Sequence, residues 1–175
     1  PEARPNSCPN FFFGGENGQV CFANDSGRCS DAFSVSGPIA SILYYNKKEA
    51  VVVITRNFML EQYSLQNGPT PALKQTMRVK MSGSANDAHA LQCIWAGEGT
   101  LATVCNESMV RVWDLEADEN YMLSLNDEAI RTKTSSDRIT KVMFHAQRGM
   151  LAASTKDGLV VFWRFIGSPT DAEDA

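Results

Sequence analysis

Leu151-Ala152-Ala153-Ser154-Thr155-Lys156-Asp157-Gly158-Leu159-Val160-Val161-Phe162-Trp163 is the most informative stretch of this 175-residue chain. An apolar run meets a polar turn, and a second apolar run leaves it and ends on a large ring. Fifty residues earlier the pattern returns as Leu101-Ala102-Thr103-Val104-Cys105-Asn106-Glu107-Ser108, running on to Val110-Arg111-Val112-Trp113. Fifty earlier again, Val51-Val52-Val53-Ile54-Thr55-Arg56-Asn57 leads through Phe58-Met59-Leu60 to Tyr63. Forty before that, Phe11-Phe12-Phe13-Gly14-Gly15-Glu16-Asn17-Gly18 leads to Val20-Cys21-Phe22. An aromatic stands six residues after the polar turn residue in three copies: Asn57 to Tyr63, Glu107 to Trp113, Asp157 to Trp163. The copy at Asn17 has Ala23 there and is degenerate.

Each copy reads as a β-hairpin. Asn17-Gly18 and Asp157-Gly158 suit a tight turn, because both residue types tolerate positive φ. The flanking runs are rich in Val, Ile, Phe and Met and hardly alternate, which suits strands covered on both faces. An isolated hairpin is marginal in water, so the units must stack. A further apolar run precedes three of the hairpins, at 39–44, 91–95 and 139–144, and a shorter one follows two of them, at 77–80 and 121–125. Four strands per 40–50 residues is the signature of a β-propeller blade. The expected fold is therefore all-β: about three four-stranded blades plus part of a preceding one. The expected divisions are a partial blade at 1–35, blades at 38–80, 88–126 and 137–166, and a polar linker at 167–175 toward further blades. A propeller closes with typically four to eight blades, so the natural domain is expected to extend on both sides.

The residues also resemble the WD40 family. Trp113-Asp114 is the dipeptide that ends the third strand of such a blade. Asp157, Thr155 and Trp163 match the turn aspartate, strand hydroxyl and strand tryptophan of that family's hydrogen-bonded set. Glu107 and Asn57 stand where the turn aspartate would be, and Cys105 stands where one hydroxyl would be. No Gly-His pair precedes a first strand, and His89 lies only approximately in that place.

Composition narrows the function. Hydrophobic residues make up 43% and charged residues 21%, with a formal net charge of −4. That is too apolar and too weakly charged for a disordered chain, and 175 residues are enough for an ordinary packed domain. The 16 basic and 20 acidic residues include no Lys/Arg block, so the footprint of a nucleic-acid binder is missing. No run approaches the roughly 20 apolar residues of a membrane span. The chain begins at Pro1 without a basic-then-apolar leader and is expected to be a piece of a longer protein. Cys8, Cys21, Cys29, Cys93 and Cys105 are odd in number and form no Cys-x-x-Cys pair. Neither a disulfide scaffold nor a zinc ribbon is expected, and a reducing, cytoplasmic compartment is. The triplets Asn24-Asp25-Ser26 and Asn106-Glu107-Ser108 fit a glycosylation pattern common by chance.

Catalytic chemistry finds no foothold. The two histidines, His89 and His145, stand in different repeats. No His-Glu-x-x-His, Gly-x-Ser-x-Gly or phosphate loop occurs. Gly14-Gly15-Glu16-Asn17-Gly18 reads as a strand end and turn, since neither a lysine nor a helix start follows. Ser82-Gly83-Ser84 joins two repeats with no base nearby, and acid–base work needs a positioned pair of groups. The first-strand runs are mainly apolar plus Lys141, which argues against an enzyme with its site in a propeller channel. No catalytic residue, cofactor, metal or small-molecule substrate is expected. The acidic residues Glu116, Asp118 and Glu119 read as a solvated loop or, alternatively, as a candidate partner-contact loop. Loops on a stiff scaffold are where blades carry function, so protein–protein interaction is the expected role.

One stretch is more specific. Val110-Arg111-Val112-Trp113-Asp114-Leu115-Glu116-Ala117-Asp118-Glu119-Asn120-Tyr121-Met122-Leu123-Ser124-Leu125 closely resembles the propeller region of the one-forty subunit family of intraflagellar transport complex A. Gly37-Pro38-Ile39, Gln62-Tyr63-Ser64-Leu65, the run 149–153 and Gly167-Ser168-Pro169 look similar too. The resemblance implies a non-enzymatic scaffold with two WD40 propellers and helical repeats beyond them. It implies retrograde ciliary transport and ciliary entry of membrane proteins, with other complex A subunits and cargo adaptors as partners. It implies residence in cytoplasm, cilium or flagellum and basal body, with no nucleic-acid partner and no direct membrane insertion. Another large propeller scaffold, such as a vesicle-coat subunit, would share the repeats; a chromatin- or RNA-associated WD40 protein fits the acidic balance less well.

Overall fold

The computed structural model describes residues 10–66, 72–83, 85–125 and 137–164. Cys8, the 167–175 linker and Gly167-Ser168-Pro169 lie outside them. The chain divides into two units, Pro1–Ala85 and Asn86–Ala175, and each holds two antiparallel sheets.

In the first unit, β1 (Phe11–Gly14), β2 (Gln19–Ala23) and β3 (Cys29–Ser34) form one sheet in that order. The second sheet is β4 (Ile39–Tyr45), β5 (Ala50–Thr55), β6 (Met59–Gln66) and β7 (Ala72–Lys80). All six residues of β5 are buried, as its unbroken apolar run requires. Val20, Val35, Val51, Val53 and Tyr63 share a core with Phe12, Phe33 and Ile42 packed on it, so the faces of β2 and β5 are buried in one interior.

The second unit repeats the plan. β8 (Leu91–Trp95), β9 (Thr100–Cys105), β10 (Met109–Asp114) and β11 (Glu119–Ser124) form a four-stranded sheet; β12 (Ile139–His145), β13 (Met150–Thr155) and β14 (Val160–Arg164) form a three-stranded one. One face of the first, with Ala102, Val104, Val110 and Val112, meets one face of the second, with Val142, Leu151, Ala153 and Val161. Each of the four meanders joins neighbours in sequence, and the chain is all-β and propeller-like.

The repeat extends to irregularities. The register slips between Ile39 and Ser41 in β4 and again between Ile139 and Lys141 in β12. Both strands run into a single 3-10 turn, Asn46–Lys48 and Ala146–Arg148, closed by a left-handed residue, Glu49 and Gly149. Two boundaries differ from those read in the sequence. β3 turns the first copy from a hairpin into three strands; its sequence, Cys-Ser-Asp-Ala-Phe-Ser, is too polar to announce itself. β7 begins at Ala72 rather than 77, because Lys74, Gln75 and Thr76 break its apolar pattern without breaking its pairing.

Candidate protein-interaction site

The hairpin turns set the loops. Phe58 and Gly158 each donate a backbone N–H to the carbonyl three residues back, Thr55 and Thr155, at 3.0 and 3.2 Å. Both sit in the left-handed region, with φ of 63° and 85°. Gly158 does so without penalty, whereas Phe58 is a bulky residue in a glycine's place. The Thr55 and Thr155 hydroxyls accept the amides of Met59 and Leu159, at 3.2 and 3.0 Å. Asn17 supports its own turn by accepting the Gln19 amide through Oδ1 at 3.1 Å.

The other three turns are each tied to the segment that precedes their sheet. The Asn57 amide donates to the Ser36 carbonyl at 2.6 Å. The Asn106 amide donates to Asp87 Oδ1 at 2.8 Å, and Cys105 Sγ to the Asp87 carbonyl at 3.2 Å. The Asp157 backbone N–H donates to Asp137 Oδ1 at 3.1 Å. Asp137 is 4% exposed. Burial alone would raise its pKa, but the Thr155 hydroxyl, the Asp157 and Arg138 amides and the Arg138 charge outweigh burial and hold it below the usual value. Asp87 and Asp137 were not singled out from the sequence, yet they stand fifty residues apart, in the same register as Trp113 and Trp163.

The tryptophan–hydroxyl pair falls elsewhere than expected. Trp113 Nε1 donates to Thr103 Oγ1 at 3.0 Å, and Thr103 is buried. The partner therefore stands ten residues before the ring, and Cys105 occupies instead the place where Thr55 and Thr155 serve their turns. In the last sheet Ala153 occupies that place, and Thr155 serves the turn instead. Trp163 is half-buried and packs on the second unit's core. Its counterpart Tyr63 stacks on Phe33 with centroids 4.0 Å apart. The Tyr63 hydroxyl donates to Glu61 Oε2 at 2.6 Å, and Gln75 Nε2 donates to the same oxygen at 2.8 Å. Burial first, then the bond to Glu61, pushes the Tyr63 pKa well above the ordinary phenol value. Glu61 itself is 2% exposed and lies 3.5 Å from Arg78 Nε through its other oxygen.

Glu107 pairs with Arg111 at 3.3 Å, one turn residue to one strand residue. Asp114 Oδ1 accepts the amides of Glu116 and Ala117 at 2.9 and 3.0 Å, which folds the β10–β11 turn, and Asp118 closes it with φ of 57°. Glu116, Asp118 and Glu119 are exposed, and Glu119 opens β11 rather than belonging to the loop. Tyr121 and Met122, next along that strand, are 44% and 58% exposed. Elsewhere in the second unit, the outer face of β12–β14 carries an apolar groove of about 290 Å³ lined by Met143, His145, Arg148, Met150 and Phe162 among others. Among the described residues no three His, Cys, Asp or Glu side chains gather as a metal site would need, and no helix is long and apolar enough to cross a membrane.

Four antiparallel meanders, joined by tied hairpin turns and carrying their exposed chemistry on loops and outer strands, define a WD-repeat β-propeller. A family model described as the IFT140 first beta-propeller matches residues 2–175, and the chain belongs to that family. The solved Cps50 (Swd1) β-propeller domain of Myceliophteria thermophila is similar to it with a TM-score of 0.58 and 14% identity, over 89% of this chain and 47% of that one. At that identity the likeness is one of fold, and the chain spans about half the length of that solved domain.

Proposed function

We propose that this chain is part of a non-catalytic scaffold of intraflagellar transport complex A, acting in retrograde transport and in ciliary entry of membrane-protein cargo. The match of an IFT140 propeller family across residues 2–175 carries this reading. The polar-rimmed loops on stiff sheets support it, since such surfaces suit partner recognition more than chemistry. The partners would be other complex A subunits and cargo adaptors, met in cytoplasm, cilium and basal body. The functional unit is a whole propeller in which residues 38–80, 88–126 and 137–166 are successive blades. Further blades would cover the outer face of β12–β14, as the second unit's own two sheets cover each other.

The test is affinity purification of the full-length parent protein from ciliated cells under mild conditions, with partners identified by mass spectrometry. Recovery of the other complex A subunits is the expected result. Vesicle-coat or chromatin proteins in their place would overturn the proposal.

A further inference from the structure

An edge strand offers unpaired backbone groups to any extended chain, and folded proteins guard such edges with bulges, lysines or prolines. Three strands close their sheets as the last in chain order and lie at an edge: β3, the third of three, and β7 and β11, each the fourth of four. The β3 ladder is broken by a bulge at Val20/Cys21, and the β7 ladder by one at Gln62/Tyr63. β7 also carries Lys74, Arg78 and Lys80. β11 has none of these protections. Its ladder with β10 runs through six consecutive pairs, from Met109↔Ser124 to Asp114↔Glu119, without a slip. Its sequence, Glu-Asn-Tyr-Met-Leu-Ser, holds no lysine, arginine or proline. Among the described residues its only strand neighbour is β10. β14 is also open on one side among the described residues, but it holds the third place, where β6 and β10 each meet the strand that follows them in the chain.

We infer that β11 is a docking edge for an extended segment of a partner protein, added antiparallel as a fifth strand. This rests on the scaffold reading above and names the partner's chemistry. Backbone hydrogen bonds would supply affinity, and alternate side chains specificity. Tyr121 and Met122, on opposite faces of the strand, offer apolar contact to β-branched or aliphatic side chains of the incoming segment. Glu116, Asp118 and Glu119 crowd the start of β11, so the segment carries Lys or Arg at its C-terminal end, which antiparallel addition places there. Charge complementarity of this kind sets orientation and speeds encounter.

The probe is a fluorescein-labelled peptide, Thr-Val-Thr-Ile-Thr-Val-Lys-Arg-amide, titrated by anisotropy against the full-length protein. Amide hydrogen exchange is followed over 119–124. The expected result is saturable binding that slows exchange at alternate amides of 119–124. Met122→Lys, at an exposed position opposite Arg111, weakens it at least tenfold while the far-ultraviolet dichroism shows the protein still folded. Replacing Glu116, Asp118 and Glu119 together by Gln, Asn and Gln weakens it several-fold and flattens its salt dependence. Two further peptides carry N-methyl groups on alternate residues, one set for each edge. If both bind within twofold of the parent, charge alone is responsible and the edge is not the site. Slow exchange, before any peptide is added, at the alternate amides of 119–124 that point away from β10 overturns the inference equally, because the edge is then already covered. Met122→Lys protein that loses the peptide yet still recovers the complex A subunits leaves the scaffold reading standing. Protein that binds the peptide but recovers no such subunits sinks that reading alone.

Discussion

Phe58 sets two residue-level effects against each other. Its left-handed backbone costs about 1 kcal/mol for a non-glycine residue. Its ring is 4% exposed and lies so close over Gly83 that a Cβ there would collide with it. Deleting a buried aromatic costs about 3–5 kcal/mol, so packing wins and the ring holds the strained turn in place. Phe58→Gly should therefore destabilise the full-length protein by about 2–4 kcal/mol, and Phe58→Ala by about 1 kcal/mol more, because alanine loses the ring and keeps the strain. Denaturant titration of both variants reads the order. Alanine above glycine would mean that the backbone there is not strained.

Trp113 and Thr103 allow a cleaner measurement. Trp113→Phe and Thr103→Val each remove one end of the bond, and their double-mutant cycle should return a coupling of about 1 kcal/mol. The same cycle with Trp163 and Thr155 should return nothing measurable, since that hydroxyl accepts the Leu159 amide. A coupling at the second pair equal to the first would contradict the placement of the hydroxyl. The sequence misled here for a physical reason. Threonines at 55 and 155 sit beside the turn and catch the eye, whereas Thr103 hides inside a strand where a hydroxyl has no periodicity to betray it.

At the scale of the element, each tie between a hairpin turn and the segment before its sheet can be tested, and at the last turn it runs from the Asp157 backbone to the Asp137 carboxylate. Asp137 receives two backbone amides and a threonine hydroxyl, so Asp137→Ala leaves three donors without that acceptor and should cost about 2–3 kcal/mol. Its pKa in the folded state lies below the unfolded value. The stability it contributes is thus complete above the unfolded value, near 4, and is lost as pH falls through the folded one. Thermal melts between pH 6 and pH 2 should show a slope for the wild type that Asp137→Asn flattens; equal slopes would remove the carboxylate from the account.

The hairpins and the strands before them were legible because buried strands must be apolar throughout, and β5 is the plainest case. β3 was not legible: an outer strand keeps its ladder while surrendering its side chains to water, so Asp31 and Ser34 cost it nothing. The ties at Asp87 and Asp137 stayed hidden because connecting segments carry no alternation. Only the fifty-residue offset marks them. Of the candidate loop, Glu116 and Asp118 stand in the turn after Trp113, while Glu119 proves to be the first residue of a strand.

For the whole molecule, the outer face of β12–β14 is the most telling surface. Met143 and Phe162 are 71% and 60% exposed, while Ile94 and Val112, their counterparts in the neighbouring sheet's register, lie half-buried and buried. If another blade covers that face in the parent protein, Phe162→Asp should lower its unfolding free energy by about 3 kcal/mol or more, the cost of forcing a charge into an apolar contact. An unchanged denaturation midpoint in the full-length protein would mean that the face stays open to water.

The rings are distributed unevenly between the two units. All three tryptophans, Trp95, Trp113 and Trp163, fall after residue 86, whereas the first unit has the Phe33–Tyr63 stack and no indole at all. Each half of the chain therefore has its own optical signature. Intrinsic indole emission watches only residues 86–175, and near-ultraviolet tyrosine dichroism is weighted toward the other half. Heating this chain while recording both signals separates one cooperative melt from two in a single cuvette, with no label attached.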